Sequence, residues 1–191
     1  MRIIMHMDLD AFFAACEIRE RPELEGKAVI IGADPKGGKG RGVVSTASYA
    51  AREYGVHSGM PISRAYRLCP NGVYLPVNFQ LYWQVSNNVM TIARRYADKF
   101  QQSSIDEAFL DVSSCGSFEE AERIAKKIRM DILEKEKLTC SVGIGPNKLV
   151  TKIASDFKKP DGLTIVKENE VKKFLFPLPV RKLYGVGRKT E

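Results

Sequence analysis

Residues 2–10 read RIIMHMDLD, and this stretch decides the fold because its apolar residues run directly into two acids. A short apolar run rich in Ile and Met is typical of a buried β-strand, and Asp8 lies where that strand ends. Asp10 is placed to cap the helix that follows, AFFAACEIRE, which stops before Pro22. The sequence therefore predicts a buried first strand that delivers a carboxylate to the start of a helix.

Outward from this stretch, short apolar strands alternate with amphipathic helices. Periodic apolar residues predict a long helix over about residues 81–97. Two short strands joined through SIDE follow, and then come a helix with a Ser117–Glu120 capping box, the strand TCSVGIG, a helix from Pro146 and the strand LTIV. Without residues 19–77 the order is strand, helix, strand, strand, helix, strand. This is the split βαββαβ pattern of a ferredoxin-like α+β fold, and residues 19–77 are expected to be an insertion with a small core of its own.

Composition excludes several classes of protein. A chain of 191 residues that is 44% hydrophobic and 28% charged suits one or two globular units. Its net charge of +7 suits a polyanionic partner, although a merely soluble basic protein explains the charge equally well. The cysteines are scattered without a CxxC pair, which argues against a zinc site and a disulfide framework. No apolar run approaches the ~18 residues of a membrane span, so we expect a cytoplasmic protein.

The carboxylates at the strand ends indicate the chemistry. Asp8 ends the first strand, and Asp106 and Glu107 lie at the junction of the two central strands. In the split βαββαβ arrangement the first strand lies beside the central hairpin, so these side chains are expected to converge. Close carboxylates repel one another unless cations neutralise them, and hard oxygen ligands select Mg²⁺. Each acid alone is more simply a solvated turn residue, but their joint placement favours a metal site.

A phosphate site is expected next to these acids. The first helix would point its free N–H groups, near residues 11–13, toward a bound anion. Thr46, Tyr49 and Arg52 lie where a later helix begins, and an arginine can hold phosphate through two parallel hydrogen bonds. Lys159, in the turn KKPDG, is a further candidate. Taken singly, a surface arginine or lysine is more often just solvated.

Several motifs, in this order, resemble those of the Y-family translesion DNA polymerases of the DinB (DNA polymerase IV) kind: MDLDAFFA, STASYAAR, SSIDEAFLDV, CSVGIGPNKLVTKIASDFKKPDG and the terminal GVG. The resemblance covers essentially the whole chain. It implies a right-hand polymerase with a palm at residues 1–18 and 78–166, fingers at 19–77 and the start of a helix-hairpin-helix thumb at 167–191. It also implies the N-terminal, palm-fingers portion of such an enzyme.

The resemblance implies roles for individual residues. Asp8 and Asp106 would bridge two Mg²⁺ ions, Glu107 would bind the catalytic ion, and the Leu9 carbonyl would join the nucleotide-side ion. Phe13 would be the steric gate against a ribose 2′-OH, although periodicity alone favours a core aromatic at this position. The other implied contacts are with the triphosphate (Phe12, Phe13, Thr46, Tyr49, Arg52, Lys159), the base-pair roof (Val43, Ser45) and the DNA backbone (Lys148, Lys152, Gly185, Gly187).

The implied reaction is attack of a primer 3′-OH on the α-phosphate of a dNTP, directed by a template strand and of low fidelity. The implied partners are primer–template DNA and dNTP, and a sliding clamp only through segments that would follow Glu191. A monomer without membrane contact is expected. Because such enzymes continue through the rest of the thumb and a little-finger domain, we expect these residues to form a catalytic-core fragment that grips DNA weakly.

Two other functions stay open. A palm-fold nucleotidyl cyclase also uses paired acids, but it needs neither the insertion nor a hairpin for DNA. A non-catalytic nucleic-acid-binding module explains the charge and the GVG turn, but it leaves the acids unexplained.

Overall fold

The computed structural model describes residues 1–183, 185–187 and 190. Its strands are β1 (Ile4–Leu9), β2 (Val29–Gly32), β3 (Val44–Ala47), β4 (Val73–Leu75), β5 (Lys99–Gln102), β6 (Glu107–Asp111), β7 (Cys140–Gly145) and β8 (Leu163–Ile165). Its α-helices are α1 (Phe12–Glu20), α2 (Tyr49–Glu53), α3 (Ile62–Leu68), α4 (Phe79–Arg94), α5 (Phe118–Glu136), α6 (Lys148–Phe157) and α7 (Val171–Leu175). Contacts divide the chain into a first unit, residues 1–10 with 86–191, and a second unit, residues 11–85.

The first unit is built on a mixed sheet with the strand order β5-β6-β1-β7-β8. β1 pairs antiparallel with both β6 and β7, and β5 pairs antiparallel with β6. The order β5-β6-β1-β7 is that of a ferredoxin-like sheet, so the predicted α+β fold is confirmed. β8 extends the sheet and runs parallel to β7, which requires the crossover that α6 supplies.

β1 is buried along its whole length, and its side chains alternate between the two faces of the sheet. His6 and Asp8 share one face with Glu107 on β6, which we call the acidic face. Met5 and Met7 point to the opposite, apolar face. The register between β1 and β6 therefore decides which carboxylates meet on the acidic face.

Helix α6 lies on the acidic face, directly against β7. A Cβ atom added at Gly143 would lie 2.1 Å from the carbonyl oxygen of Thr151 and 2.5 Å from the backbone nitrogen of Ser155. Only a glycine lets the two backbones approach so closely. The helix was expected to begin at Pro146, but it begins two residues later, where the Asn147 side chain accepts a hydrogen bond from the Val150 N–H at 3.0 Å.

Helices α4 and α5 complete this unit. The Arg94 guanidinium lies 4.8 Å from the centre of the Phe100 ring, and the Tyr96 hydroxyl donates to Asp131 on α5 at 3.0 Å. Ser117 caps α5 as predicted, accepting from the Glu120 N–H at 3.1 Å, whereas the Glu120 carboxylate pairs with Arg123. Within the described residues, no helix is both long and apolar enough to cross a membrane.

The C-terminal segment packs on the first unit through α7. Its apolar side chains cover a small core between α6 and β8, formed by Val150, Ala154 and Val166 with Val171, Phe174 and Leu175. Beyond it, Gly185 has a φ of +87°, which suits a tight turn. The second helix of the predicted hairpin was expected to start near Glu191, which lies outside the described residues.

The second unit has a sheet of its own, in the order β3-β2-β4, with β2 antiparallel to β3 and parallel to β4. The Ser48 hydroxyl caps α2 by accepting from the Ala51 N–H at 3.3 Å. A separate core joins the sheet to α2 and α3, and it contains Ile30, Val44, Ala47, Ala51, Val56, Met60, Ile62, Ala65 and Cys69. Residues 19–77 thus contain the core expected of an insertion, while the exact domain boundaries and the thumb at 167–191 stay predictions.

Candidate active site

The structure brings the three predicted acids to one end of the central hairpin. Asp8 lies directly opposite Glu107 in the antiparallel register of β1 and β6. The next backbone contact is a hydrogen bond of 3.0 Å from the Leu9 N–H to the Asp106 carbonyl oxygen. Asp8 is buried, whereas Asp106 and Glu107 are half-buried and reachable from solvent.

Cationic or polar groups hold each of these carboxylates. The Lys159 Nζ lies 2.6 Å from Oδ1 of Asp8. The Lys152 Nζ donates to both carboxylate oxygens of Glu107, each at 2.7 Å. Asp106 accepts a hydrogen bond of 2.5 Å from the Ser104 hydroxyl. Since both lysines come from α6 and the turn after it, that segment supplies the positive charge on the acidic face.

Burial and neighbouring charges move the pKa values of the paired acids in opposite directions. Burial raises the pKa of the Asp8 carboxyl to about 8, and the Lys159 ammonium opposes that rise. The pKa of Glu107 is lowered, first by the His6 ring and then by Lys152. Although burial works to lower the pKa of Lys159, the Asp8 carboxylate raises it above its usual range. The site thus favours a charged Glu107 beside an Asp8 that takes up a proton more readily.

His6 lies under this pair and was not predicted as a site residue. Its ring is fully buried, with Nδ1 2.7 Å from the Ser155 hydroxyl and Nε2 3.7 Å from Oε2 of Glu107. The Ser155 hydroxyl also donates to the Lys152 carbonyl at 2.9 Å, so this hydroxyl links the His6 ring to helix α6. Burial lowers the pKa of His6. The sequence could have pointed to His6 because it lies two residues before Asp8 in β1, and residues two apart share one face of a strand.

Asp10 does not cap α1, so that prediction is wrong. The residue before α1 is Ala11, in the left-handed conformation (φ 47°, ψ 42°) and without a side-chain cap. The buried Asp10 carboxylate is engaged elsewhere: it accepts from the Ser141 hydroxyl and from the Asp161 N–H, both at 2.8 Å. Arg129 pairs with the Asp161 side chain at 2.7 Å. Asp10 therefore anchors the turn that carries Lys159.

An aromatic group surrounds Phe13 in the second unit. The half-buried Phe13 ring stacks on Tyr82, with ring centres 4.3 Å apart and planes inclined by 10°. The edge contact with Phe79 is 6.1 Å between centres. Tyr82 is fully buried, and its hydroxyl donates to Glu17 at 2.9 Å. Tyr82 is thus a supporting residue that the sequence reasoning missed, although it falls on the apolar face of α4.

The other predicted nucleotide contacts of this unit lie close together in sequence and space. Thr46 is on β3, and Tyr49 is the first residue of α2. The Arg52 guanidinium lies 4.6 Å from the centre of the Tyr49 ring, and its Nε donates to the Ala47 carbonyl at 3.1 Å. Phe12 is buried, whereas the roof candidates Val43 and Ser45 are exposed and half-buried.

The predicted DNA-backbone contacts are dispersed along the first unit. Lys148, one turn before Lys152 on α6, donates to the Gln101 side chain and lies 5.5 Å from the centre of the Phe109 ring. Lys152 contacts Glu107 as described above. Gly185 and Gly187 lie in the terminal turn.

The donor chemistry of the acidic face fits a divalent cation of the hard type. The predicted ligands are the carboxylate oxygens of Asp8, Asp106 and Glu107 with the Leu9 carbonyl, and such an all-oxygen set is the kind that Mg²⁺ prefers. The described part of the chain contains no group of at least three His, Cys, Asp or Glu side chains already gathered as metal ligands. Lysine ammonium groups lie on Asp8 and Glu107 instead, so the two-ion arrangement stays a prediction.

Comparisons with known proteins account for nearly the whole chain. The impB/mucB/samB family matches residues 7–156, and the HHH motif of the same IMS family matches residues 168–191. DNA polymerase IV 2 of Methanosarcina mazei is 60% identical over 191 residues, which are 100% of this chain and 52% of that protein. DNA polymerase IV of Methanoculleus marisnigri is 59% identical over 189 residues, or 99% of this chain and 52% of that protein.

Solved structures of Y-family DNA polymerases are similar to nearly the whole chain as well. DinB from Sulfolobus solfataricus has a TM-score of 0.91 at 39% identity, over 98% of this chain and 55% of its own. An insertion ternary complex of Dbh DNA polymerase also has a TM-score of 0.91 at 39% identity, over 98% of this chain and 55% of its own. The chain spans about half the length of the curated relatives it matches.

Proposed function

Because this chain belongs to the impB/mucB/samB family and is a DinB-type member of the Y-family DNA polymerases, we propose that it carries the nucleotidyl-transfer site of a template-directed DNA polymerase. The observation that supports this most directly is the register of β1 and β6, which sets Asp8 opposite Glu107 with Asp106 beside them. Family membership also favours the polymerase over a nucleotidyl cyclase and over a non-catalytic binding module.

The acidic face is proposed to bind two Mg²⁺ ions. Asp8 and Asp106 would be shared by both ions, Glu107 would bind the catalytic ion, and the Leu9 carbonyl would join the nucleotide-side ion. When bound, such ions lower the pKa of an attacking hydroxyl and neutralise the charge that develops on the phosphate oxygens.

The chain's own side chains position the reactants. Lys159 is held over Asp8 by the anchored turn, where its ammonium group can bind a triphosphate oxygen. Phe12, Phe13, Thr46, Tyr49 and Arg52 are proposed to contact the same nucleotide. A primer 3′-OH attacks the α-phosphate, and pyrophosphate leaves. Positioning and charge neutralisation supply most of the catalysis in this class of reaction.

The proposed partners are primer–template DNA and dNTP. The candidates for contacts with the DNA backbone are Lys148, Lys152, Gly185 and Gly187. Val43 and Ser45 are candidates for the roof of the nascent base pair. Low-fidelity translesion synthesis, a monomeric state, a cytoplasmic location and a clamp contact outside these residues belong to the same proposal.

Single-nucleotide addition tests the proposal. The chain is mixed with primer–template DNA, dNTP and Mg²⁺ at low salt, because a weak grip on DNA is expected. Wild-type chain should extend the primer, and Asp106→Ala should abolish extension while DNA binding, measured by fluorescence anisotropy, persists. The matched control is Asp131→Ala, which removes a carboxylate paired with Lys135 on α5.

Three outcomes would count against parts of the proposal. Mg²⁺-dependent extension that survives in Asp106→Ala would exclude the acidic face as the catalytic site. DNA binding without any extension by the wild-type chain would favour the non-catalytic module. Processive synthesis at physiological salt would contradict the weak grip on DNA.

A further inference from the structure

The contact between Lys152 and Glu107 uses both oxygens of the carboxylate. The two distances from Nζ are equal, 2.7 Å each, so the ammonium group bridges the oxygens symmetrically. The side chains are 17% and 23% exposed, which keeps most solvent from the pair. An ion pair that is shielded in this way is screened by salt less than a surface pair.

Lys152 has little freedom to move away with its helix. The backbone of α6 rests on Gly143 at distances that leave no room for a methyl group. The turn of α6 that bears Lys152 is also tied to β1, because Ser155 bonds the Lys152 carbonyl and the buried His6 ring. Glu107 is therefore enclosed between His6 Nε2 and the Lys152 ammonium group.

We infer that Lys152 is a resident counter-cation of Glu107, which a divalent ion has to displace or share, and that this side chain limits the affinity of the acidic face for metal. The inference rests on the proposed function, since it assumes that Glu107 is a metal ligand. A lysine and a divalent cation on one carboxylate repel each other, so the metal binds more weakly than it would without the lysine. In return, the ammonium group holds the Glu107 carboxylate in one orientation in the absence of metal.

Lys159 and Asp8 form a similar pair, but the two lysines differ in their environment. Lys159 also contacts Asp156 at 2.9 Å, so its ammonium group already divides its contacts between two carboxylates. We therefore assign the metal-limiting role to Lys152.

Binding of Mn²⁺ to the chain without DNA or nucleotide tests the inference. The concentration of free Mn²⁺ is read by electron paramagnetic resonance, which requires no catalytic turnover. Lys152→Met removes the charge but keeps a side chain of similar length, and it should tighten Mn²⁺ binding by about threefold or more. Lys152→Gln should do the same, and Lys152→Arg, which keeps the charge, should stay near the wild-type affinity.

The matched control is Lys148→Met, which removes the same charge from the preceding turn of α6. The Lys148 Nζ lies on Gln101 and Phe109, not on a carboxylate, so the Mn²⁺ affinity should change by less than about twofold. Thermal unfolding of every variant shows whether the fold is kept, and the Gln variant replaces the Met variant if the latter does not fold.

The outcomes separate this inference from the proposed function. Mn²⁺ binding that is unchanged or weaker in Lys152→Met and Lys152→Gln, or tightened equally in Lys148→Met, overturns the inference alone. In that case, wild-type binding that is lost in Asp106→Ala would still support the metal site. Wild-type binding that is absent, or equal to that of Asp106→Ala, overturns both the inference and the proposed metal site.

Discussion

The packing around Phe13 suits the steric role predicted for it. Its ring is stacked on Tyr82, and the Tyr82 hydroxyl is fixed by Glu17. A ring supported from behind in this way cannot easily turn aside when a larger group presses on its free face. The buried Tyr82 thus makes Phe13 a rigid wall instead of a mobile aromatic.

We predict that Phe13→Val raises incorporation of ribonucleotides relative to deoxyribonucleotides. The smaller side chain leaves room for a 2′-OH, and discrimination of this kind amounts to about tenfold or more. The ratio of kcat/KM for dCTP and CTP in single-nucleotide insertion measures the effect. Phe176→Ala is the control, because Phe176 is 80% exposed and lies on the C-terminal segment. An unchanged ratio in Phe13→Val would remove Phe13 as the gate.

At the residue scale, the place of a side chain was predictable where it follows from a position in a strand, while the roles of these residues stay predictions. Asp8, Asp106 and Glu107 could be proposed because strand ends and strand order predict where side chains meet. The partners of Asp10 could not be predicted, since Ser141 and Asp161 lie 131 and 151 positions away in the chain. A buried carboxylate is stabilised by whichever donors the tertiary fold brings to it, and these outcompete a local helix cap.

At the scale of elements, the seat of α6 on β7 is the contact on which the acidic face depends. α6 carries Lys152, and the turn after it carries Lys159. Both lysines therefore move if the helix moves. This close packing of α6 on β7 is possible because Gly143 has no side chain that would stand between the two backbones.

Gly143→Ala should destabilise the first unit and lower the rate of nucleotide addition. The new methyl group would lie 2.1 Å from the Thr151 carbonyl oxygen, so α6 has to shift. Overpacking of this kind costs about 1–3 kcal/mol. Urea unfolding of the variant and the wild type measures the loss, and single-turnover primer extension measures the effect on the site.

Gly187→Ala is the matched control, because an added Cβ at that position has no atom within 4 Å. Its unfolding midpoint should stay at the wild-type value. Equal stability of the Gly143→Ala and Gly187→Ala variants would show that α6 can shift without a loss of stability. The positions of Lys152 and Lys159 would then not depend on the close packing of α6 against β7.

Elements were predictable from local patterns, but their contacts were not. Apolar periodicity predicted α4 and α5, and the order of the strands predicted the ferredoxin-like sheet. The same patterns do not show that Lys152 of α6 reaches Glu107 of β6, because that contact depends on which face of the sheet the helix covers. Helix α6 could be predicted as an element, but its position over the acids could not.

At the scale of the whole molecule, the net charge of +7 favours binding to DNA, and the number of phosphate contacts sets how that binding depends on salt. Each phosphate contact releases a condensed counterion, so affinity falls linearly with salt on logarithmic axes. Fluorescence anisotropy with primer–template DNA at several salt concentrations gives the slope. Lys148→Ala should weaken binding at every DNA sequence and reduce the slope by about one.

Lys126→Ala is the control for this prediction. Lys126 is 60% exposed and pairs with Glu122 on α5, so its removal changes the net charge equally. An identical slope for Lys148→Ala and wild type would exclude Lys148 from the DNA contacts.

The register of β1 has a consequence for the reliability of folding. A slip of one residue against its neighbours would turn His6 and Asp8 into the apolar face and Met5 and Met7 out of it. Burying an unpaired carboxylate there is far costlier than any gain from the misplaced methionines. A chain in which β1 pairs in the wrong register would thus fail to fold stably. The packing of β1 therefore ensures that every stably folded chain has Asp8 on the acidic face.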